Sequence, residues 1–156
     1  IPLMTLHALE GRELPIYGDG DQVRDWLHVD DHADGLIRAL EKGEPGRTYL
    51  FGGHEEHRNL TVVGAICDLL DEMLGEPASG PRRELIRFVE DRPGHDRRYA
   101  IDPSTAVNEL GWAPLHTFED GLRETARWYL DNRWWWERVR SGEYRWERIG
   151  LGRKTE

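Results

Sequence analysis

Cys67 is the only cysteine in 156 residues. An internal disulfide and a cysteine-built zinc site are therefore excluded. No apolar run reaches the length of a membrane span. Basic residues are outnumbered by acidic ones, 21 to 30, for a net charge of −9. That balance argues against nucleic acid or an anionic membrane as partner, because both need a basic footprint. The dinucleotide fingerprint Gly-x-Gly-x-x-Gly is incomplete: Gly18 and Gly20 are in place, but Val23 stands where the third glycine belongs. Its turn is also expected to join two strands rather than a strand and a helix. The opening Ile1-Pro2-Leu3-Met4 has no basic n-region or cleavage site, so no signal peptide is expected, and it has no initiator Met. It reads as cut from a longer chain.

What is present suits one globular domain with a real core: 38% hydrophobic and 33% charged residues. Pro2 to Glu10 reads as a helix closed by Gly11, and Leu14 to Tyr17 as a short strand. After the turn Gly18–Asp21, Val23 to Val29 alternates as a strand. Asp30 or Asp31 is expected to cap a helix to about Glu41 with Leu36, Ile37 and Leu40 inward. Thr48 to Phe51 reads as a short apolar strand with no obvious local partner. Asn59 precedes a helix from Leu60 to Leu74, closed by Gly75, with Cys67 on its apolar run as a core thiol rather than a nucleophile. Ile86 to Glu90 reads as a strand. Helices are expected from Asp102-Pro103-Ser104 to Gly111, and from Thr117 to Asn132 with a capping box in Thr117-x-x-Asp120. The alternation of strands and helices gives an α/β class. Trp134, Trp135 and Trp136 would span about 200° of a helix, so they cannot all face one core.

The segment Asp91-Arg92-Pro93-Gly94-His95-Asp96-Arg97-Arg98-Tyr99-Ala100-Ile101-Asp102 concentrates the chemistry. Arg92 and His95 flank a Pro-Gly bend and can reach one small anion. Guanidinium forks suit phosphate oxygens, which they grip through two parallel hydrogen bonds. Read alone, the segment is also compatible with a solvated basic turn. His32, His54 and His57 have no helical ligand spacing, and no metal is expected at them.

Four motifs stand in order: Pro15-Ile16-Tyr17-Gly18-Asp19-Gly20-Asp21-Gln22-Val23-Arg24-Asp25-Trp26, Gly52-Gly53-His54, the arginine-rich turn, and Glu109-Leu110-Gly111-Trp112-Ala113-Pro114. In this order the chain resembles the C-terminal, substrate-binding portion of nucleotide-sugar enzymes of the extended short-chain dehydrogenase/reductase superfamily. The Arg-Pro-Gly-His-Asp version is similar to the dTDP-glucose 4,6-dehydratase family. The resemblance runs from Ile1 to about Arg148. It implies an NAD(P)-binding Rossmann fold whose N-terminal half is missing here, with residues 1–148 as the nucleotide-sugar-binding domain and 149–156 as a disordered tail. The strand near 48–51 would join the missing Rossmann sheet.

The resemblance further implies which residues meet the ligand. Pro15 and Tyr17 match positions lining the base and ribose, with Tyr17 as a core residue the alternative. Arg24, Arg92, His95 and Tyr144 match contacts to the diphosphate or nucleotide; an edge-strand charge is the alternative for Arg24. Asn59 matches a binding position and could equally be a plain helix cap. Family members place a Tyr-x-x-x-Lys pair, a Thr and an Asp-Glu pair in the N-terminal half, where NAD takes the hydride. No Tyr-x-x-x-Lys occurs in this chain: Asp21, Gly53, Pro103, Arg133 and Arg148 stand four residues after its tyrosines. No catalytic, cofactor-binding or metal-binding residue is therefore expected here. The implied whole is a cytoplasmic, homodimeric, NAD-dependent hydro-lyase converting dTDP-glucose to dTDP-4-keto-6-deoxyglucose. Another epimerase, dehydratase or decarboxylase of the superfamily, or a non-catalytic nucleotide-sugar-binding module, are the alternatives.

Overall fold

Short strands and tight turns hold two small sheets against a layer of helices. The structure, a computed structural model, describes residues 1–142. Tyr144 and the tail at 149–156 lie outside them. The elements are α1 (Pro2–Leu9), β1 (Leu14–Tyr17), β2 (Val23–Asp25), α2 (Val29–Lys42), β3 (Glu56–Arg58), α3 (Asn59–Leu74), a 3-10 turn (Arg82–Leu85), β4 (Ile86–Val89), β5 (Arg98–Tyr99), α4 (Ser104–Leu110), α5 (Phe118–Asp131) and α6 (Arg133–Arg140). One sheet pairs β1 with β4 in parallel, Leu14 opposite Ile86. The other runs β3-β2-β5, with β2 antiparallel to β3 and parallel to β5.

The main core forms where α3 meets β1, α1 and α5. Val62, Val63, Ile66, Cys67 and Leu70 make one buried stripe of α3 against Leu14, Ile16, Ala8, Phe118 and Leu122. Their spacing is the i, i+1, i+4, i+5, i+8 pattern of a helix face. Burial pushes the Cys67 thiol up to about 11, which suits a core thiol. A second, smaller core holds Ala106, Leu110 and fully buried Trp112, with Phe51 edge-on to the Trp112 ring at 5.0 Å. The Trp112 indole N–H donates to the Asp31 carbonyl at 2.9 Å, which keeps its polar atom satisfied. Thr117 caps α5 by accepting from the Asp120 N–H, and Gly111 closes α4 in the left-handed region.

Several expectations change. The second strand stops at Asp25, and α2 starts at Val29 with His28, not Asp30 or Asp31, as its cap. The His28 ring nitrogen accepts from the Asp30 N–H, so an aromatic residue takes the role expected of a carboxylate. Leu36, Ile37 and Leu40 do not face inward: they are 55%, 55% and 87% exposed. The buried face of α2 is instead Asp31 and Gly35. A Cβ on Gly35 would stand 2.6 Å from the Phe51 ring, so only glycine lets that ring come so close. Residues 48–51 form no strand pairing among the described residues. Asn59 is the first residue of α3 rather than its cap. Strand β3 was not expected, because Glu56-His57-Arg58 offers no apolar alternation. Of the three tryptophans, Trp136 is buried while Trp134 and Trp135 are 60% and 45% exposed.

Candidate functional site

Two turns meet at the arginine-rich segment. The first leaves β1 at Tyr17 through Gly18 and Gly20, both in the left-handed region. A Cβ on Gly18 would stand 2.9 Å from Asp91 Oδ2, so glycine is needed there for space as well as for backbone angle. The second turn leaves β4 at Val89 and bends at Gly94. The Gly18 N–H donates to the Val89 carbonyl at 3.0 Å and the Val23 N–H to the Arg97 carbonyl at 2.8 Å. These bonds lock the turns side by side.

Asp91 is the hub between them. Its Oδ1 lies 2.6 Å from His95 Nδ1 and accepts from the Arg92 N–H at 2.9 Å, while Oδ2 accepts from Gln22 Nε2 at 3.2 Å. The His95 contact holds the Asp91 carboxyl below its usual range. His95 stands edge-on to the Tyr17 ring at 6.3 Å. Pro15 and Tyr17 share the outward face of β1, opposite buried Leu14 and Ile16. Arg24 reaches the same turn from β2: Nη2 donates to the Asp96 carbonyl at 3.0 Å, and the guanidinium lies 4.5 Å from the Tyr99 ring centroid. Arg92 is exposed on the turn.

Asn59 joins through the backbone. Its N–H donates to the Gln22 carbonyl at 3.0 Å, and the Leu60 N–H to the Gly20 carbonyl at 3.0 Å. Two of the amides that would make the start of α3 an anion site are thus spent on the turn. Pro15, Tyr17, Arg24, Asn59, Arg92 and His95 are therefore carried by two adjoining turns, the strands beside them and the first residue of α3. Asp91 and Gln22 were missed. Asp91 begins the quoted segment, but nothing in its own spacing marks it as the acceptor for His95; Gln22 is an ordinary polar residue until its 7% exposure is known.

A cavity of about 600 Å³ lies elsewhere, lined by Ile1, Pro2, Trp26, His28, Trp128 and Tyr129 among others. None of the six expected binding residues above lines it. At its edge His28, His116 and Glu124 bring nitrogen and oxygen atoms within 4.8 Å of one another. His28 Nδ1 already accepts the α2 cap bond. His116 sits between Asp31 Oδ1, 3.1 Å from Nδ1, and Glu124 Oε2, 3.5 Å from Nε2. The Asp31 contact is an ion pair that is off-line for a hydrogen bond. It raises the His116 pKa above the ordinary 6.5. A histidine held between two carboxylates accounts for the trio.

The sequence matches the profile of the GDP-mannose 4,6 dehydratase family over residues 1–125. The chain belongs to this family. A dTDP-glucose 4,6-dehydratase of Neisseria meningitidis is 54% identical over 155 residues, which are 98% of this chain and 44% of that protein. The chain thus spans less than half the length of that relative. The dTDP-glucose 4,6-dehydratase of Bacillus anthracis, solved in complex with NAD, superposes with a TM-score of 0.75 at 46% identity, over 88% of this chain and 41% of that one. DesIV of Streptomyces venezuelae, a dTDP-glucose 4,6-dehydratase solved with NAD bound, gives 0.77 at 42%, over 89% and 40%. The mixed α/β architecture is that of extended short-chain dehydrogenase/reductases, and the match is to the C-terminal part of the dehydratases. The turn Gly18-Asp19-Gly20 joins β1 to β2 instead of opening a helix, so it is not the dinucleotide-binding turn of a Rossmann fold.

Proposed function

We propose that this chain is the substrate-binding portion of an NAD-dependent dTDP-glucose 4,6-dehydratase. The whole protein eliminates water from dTDP-glucose to give dTDP-4-keto-6-deoxyglucose. The observation that carries this reading is the joined pair of turns: Arg24 from β2 is bonded to the turn after β4 that carries both Arg92 and His95, in a chain about half identical to proteins of that name. A nucleoside diphosphate suits that edge, since guanidinium groups take phosphate oxygens in pairs. Pro15 and Tyr17 extend it with a flat apolar face for the base and ribose, and Asn59 is tied beside it through its backbone bond to Gln22. Tyr144, outside the described residues, completes the proposed set.

NAD and the proton-transfer residues belong, in this reading, to an N-terminal half. That half docks on the exposed face of α2 and at the cavity around Trp26, whose indole nitrogen is buried without a partner. Residues 48–51 add a strand to its sheet, and residues 1–148 form the nucleotide-sugar-binding unit. No helix is long and apolar enough to cross a membrane among the described residues. With a lone cysteine, a reducing cytoplasm is the fitting compartment; the whole protein is proposed to be a homodimer.

The test is turnover. The whole protein given dTDP-glucose is expected to form the 4-keto-6-deoxy product, read by its alkaline ultraviolet absorbance. The 156-residue chain with added NAD is expected to form none. Turnover by the chain alone sinks the assignment of chemistry to an N-terminal half. Turnover of a different nucleotide sugar by the whole protein, and not of dTDP-glucose, transfers it to another reaction of the superfamily.

A further inference from the structure

Gln22 poses a question that the binding site does not answer. It is 7% exposed, and its Oε1 is buried without a hydrogen-bond partner. A buried, half-satisfied amide is disfavoured relative to an apolar side chain of similar size, so its presence calls for a reason. The amide orientation follows from its partner. Nε2 faces Asp91 Oδ2, and a carboxylate can only accept, so the NH2 end must point there.

Asp91 accepts from Gln22 on one oxygen and from the Arg92 N–H and His95 on the other. Its pKa is lowered, chiefly by His95, so it is ionised at neutral pH. An ionised carboxylate 2.6 Å from His95 Nδ1 requires a proton on that nitrogen. The His95 side chain is 4% exposed and stands against the Tyr17 ring, so the ring has little freedom to turn. A neutral imidazole with a proton on Nδ1 has a bare lone pair on Nε2.

We propose that Gln22 and Asp91 are positioning residues that act through His95, fixing its Nδ1–H tautomer so that Nε2 accepts a hydrogen bond from a hydroxyl of the nucleotide sugar. The proposal rests on the substrate reading above and assigns His95 a different task from the arginines. They take the anionic oxygens; His95 takes a neutral donor. Gln22 steadies the carboxylate through Oδ2, the same oxygen that stands closest to Gly18.

Ring-nitrogen NMR of histidine in the whole protein, above neutral pH and without ligand, tests the relay directly. Wild type is expected to show His95 protonated on Nδ1 and bare on Nε2. Asp91→Ala is expected to move the proton to Nε2, a change that a merely structural role would not produce. Asp91→Asn keeps an acceptor opposite Nδ1 and is expected to retain the wild-type pattern. An Nε2–H tautomer in wild type, or an unchanged tautomer in Asp91→Ala, overturns the relay.

Calorimetry with dTDP and with dTDP-glucose then tests the ligand half. Asp91→Ala is expected to bind about tenfold more weakly, the loss of roughly one hydrogen bond. The Asp91→Ala/His95→Ala double variant is expected to be no weaker than His95→Ala alone, since both act through one imidazole. Equal losses for the two ligands place the hydroxyl on the nucleoside, and a loss confined to dTDP-glucose places it on the hexose. Additive losses overturn the coupling. A wild type that shows the Nδ1–H tautomer but binds neither ligand overturns the substrate reading and the hydroxyl contact with it, and leaves the relay standing.

Discussion

Arg24 Nη2 donates to the carbonyl of Asp96 at 3.0 Å, joining residues 72 positions apart in the chain. The bond ties β2 to the turn that carries Arg92 and His95, and the Tyr99 ring supports the guanidinium from its face. Arg24→Lys keeps the charge and loses both the fork and the stacking. We expect dTDP affinity to fall about tenfold. The amides of Val23 and Arg98, paired across β2 and β5, should also exchange faster with solvent. Unchanged exchange at both amides would remove Arg24 from the architecture of the turn.

Arg92 makes a different prediction, because its side chain is exposed rather than held between strands. If it grips the diphosphate, Arg92→Ala in the whole protein lowers dTDP affinity ten- to a hundredfold, from about 1.5–3 kcal/mol per charged hydrogen bond. Arg92→Lys recovers part of that loss. A plain surface arginine leaves both variants within a factor of about two. Calorimetry on the three proteins separates the cases.

Arg82 is a structural counterpart, buried at 7% exposure. It donates to Asp71 Oδ1 at 2.5 Å, the Gly75 carbonyl at 3.0 Å and the Ala8 carbonyl at 3.3 Å. Removing one partner of a buried pair strands the other charge and costs about 3–5 kcal/mol. Arg82→Met is expected to destabilise by that order in urea unfolding. Arg82→Met/Asp71→Leu is expected to recover much of it, and a double variant weaker than the single would show that the carbonyl bonds dominate.

The pair His116 and Asp31 sets a pH window. His116 has its pKa raised above 6.5 by the Asp31 carboxylate, so its contribution is complete below 6.5 and is lost as pH rises through the folded value. Burial pushes Asp31 upward, but the His116 backbone and side-chain contacts outweigh it, leaving its pKa below 3.8. Its contribution is present above 3.8 and lost as pH falls through the folded value. The pair is expected to stabilise fully between about 3.8 and 6.5. Melting temperatures of wild type and His116→Gln should differ most inside that window and converge above it; a constant gap refutes the ion pair.

The outer face of α2 is apolar and open, with Val29, Leu36, Ile37 and Leu40 all more than half exposed. Contiguous exposed apolar surface promotes association. The isolated chain is expected to self-associate and to bind hydrophobic dyes strongly. Leu36→Glu/Leu40→Lys should suppress both. In the whole protein the same pair should be destabilising, because the proposed reading buries this face. A monodisperse, sharply melting isolated chain would argue against that burial.

Much of this protein is written locally. Leu14–Tyr17, the Thr117 cap of α5, the Gly75 and Gly111 helix ends and the core stripe around Cys67 all follow from period, cap and turn chemistry within a few residues. So does the family, whose motifs are contiguous stretches such as Arg92-Pro93-Gly94-His95-Asp96. Tertiary structure decided the rest, wherever the partner is remote in sequence. Periodicity finds the apolar stripe of α2 but not what covers it; the close approach of Phe51 and Trp112 selects Gly35 and Asp31 as the inner face. Strand β3 exists because β2 lies beside it, since Glu56-His57-Arg58 has no apolar pattern of its own. Gln22 reaches Asp91 across 69 positions. A side chain's neighbours at such separations are set by the packing of whole elements, and local propensity carries no record of them.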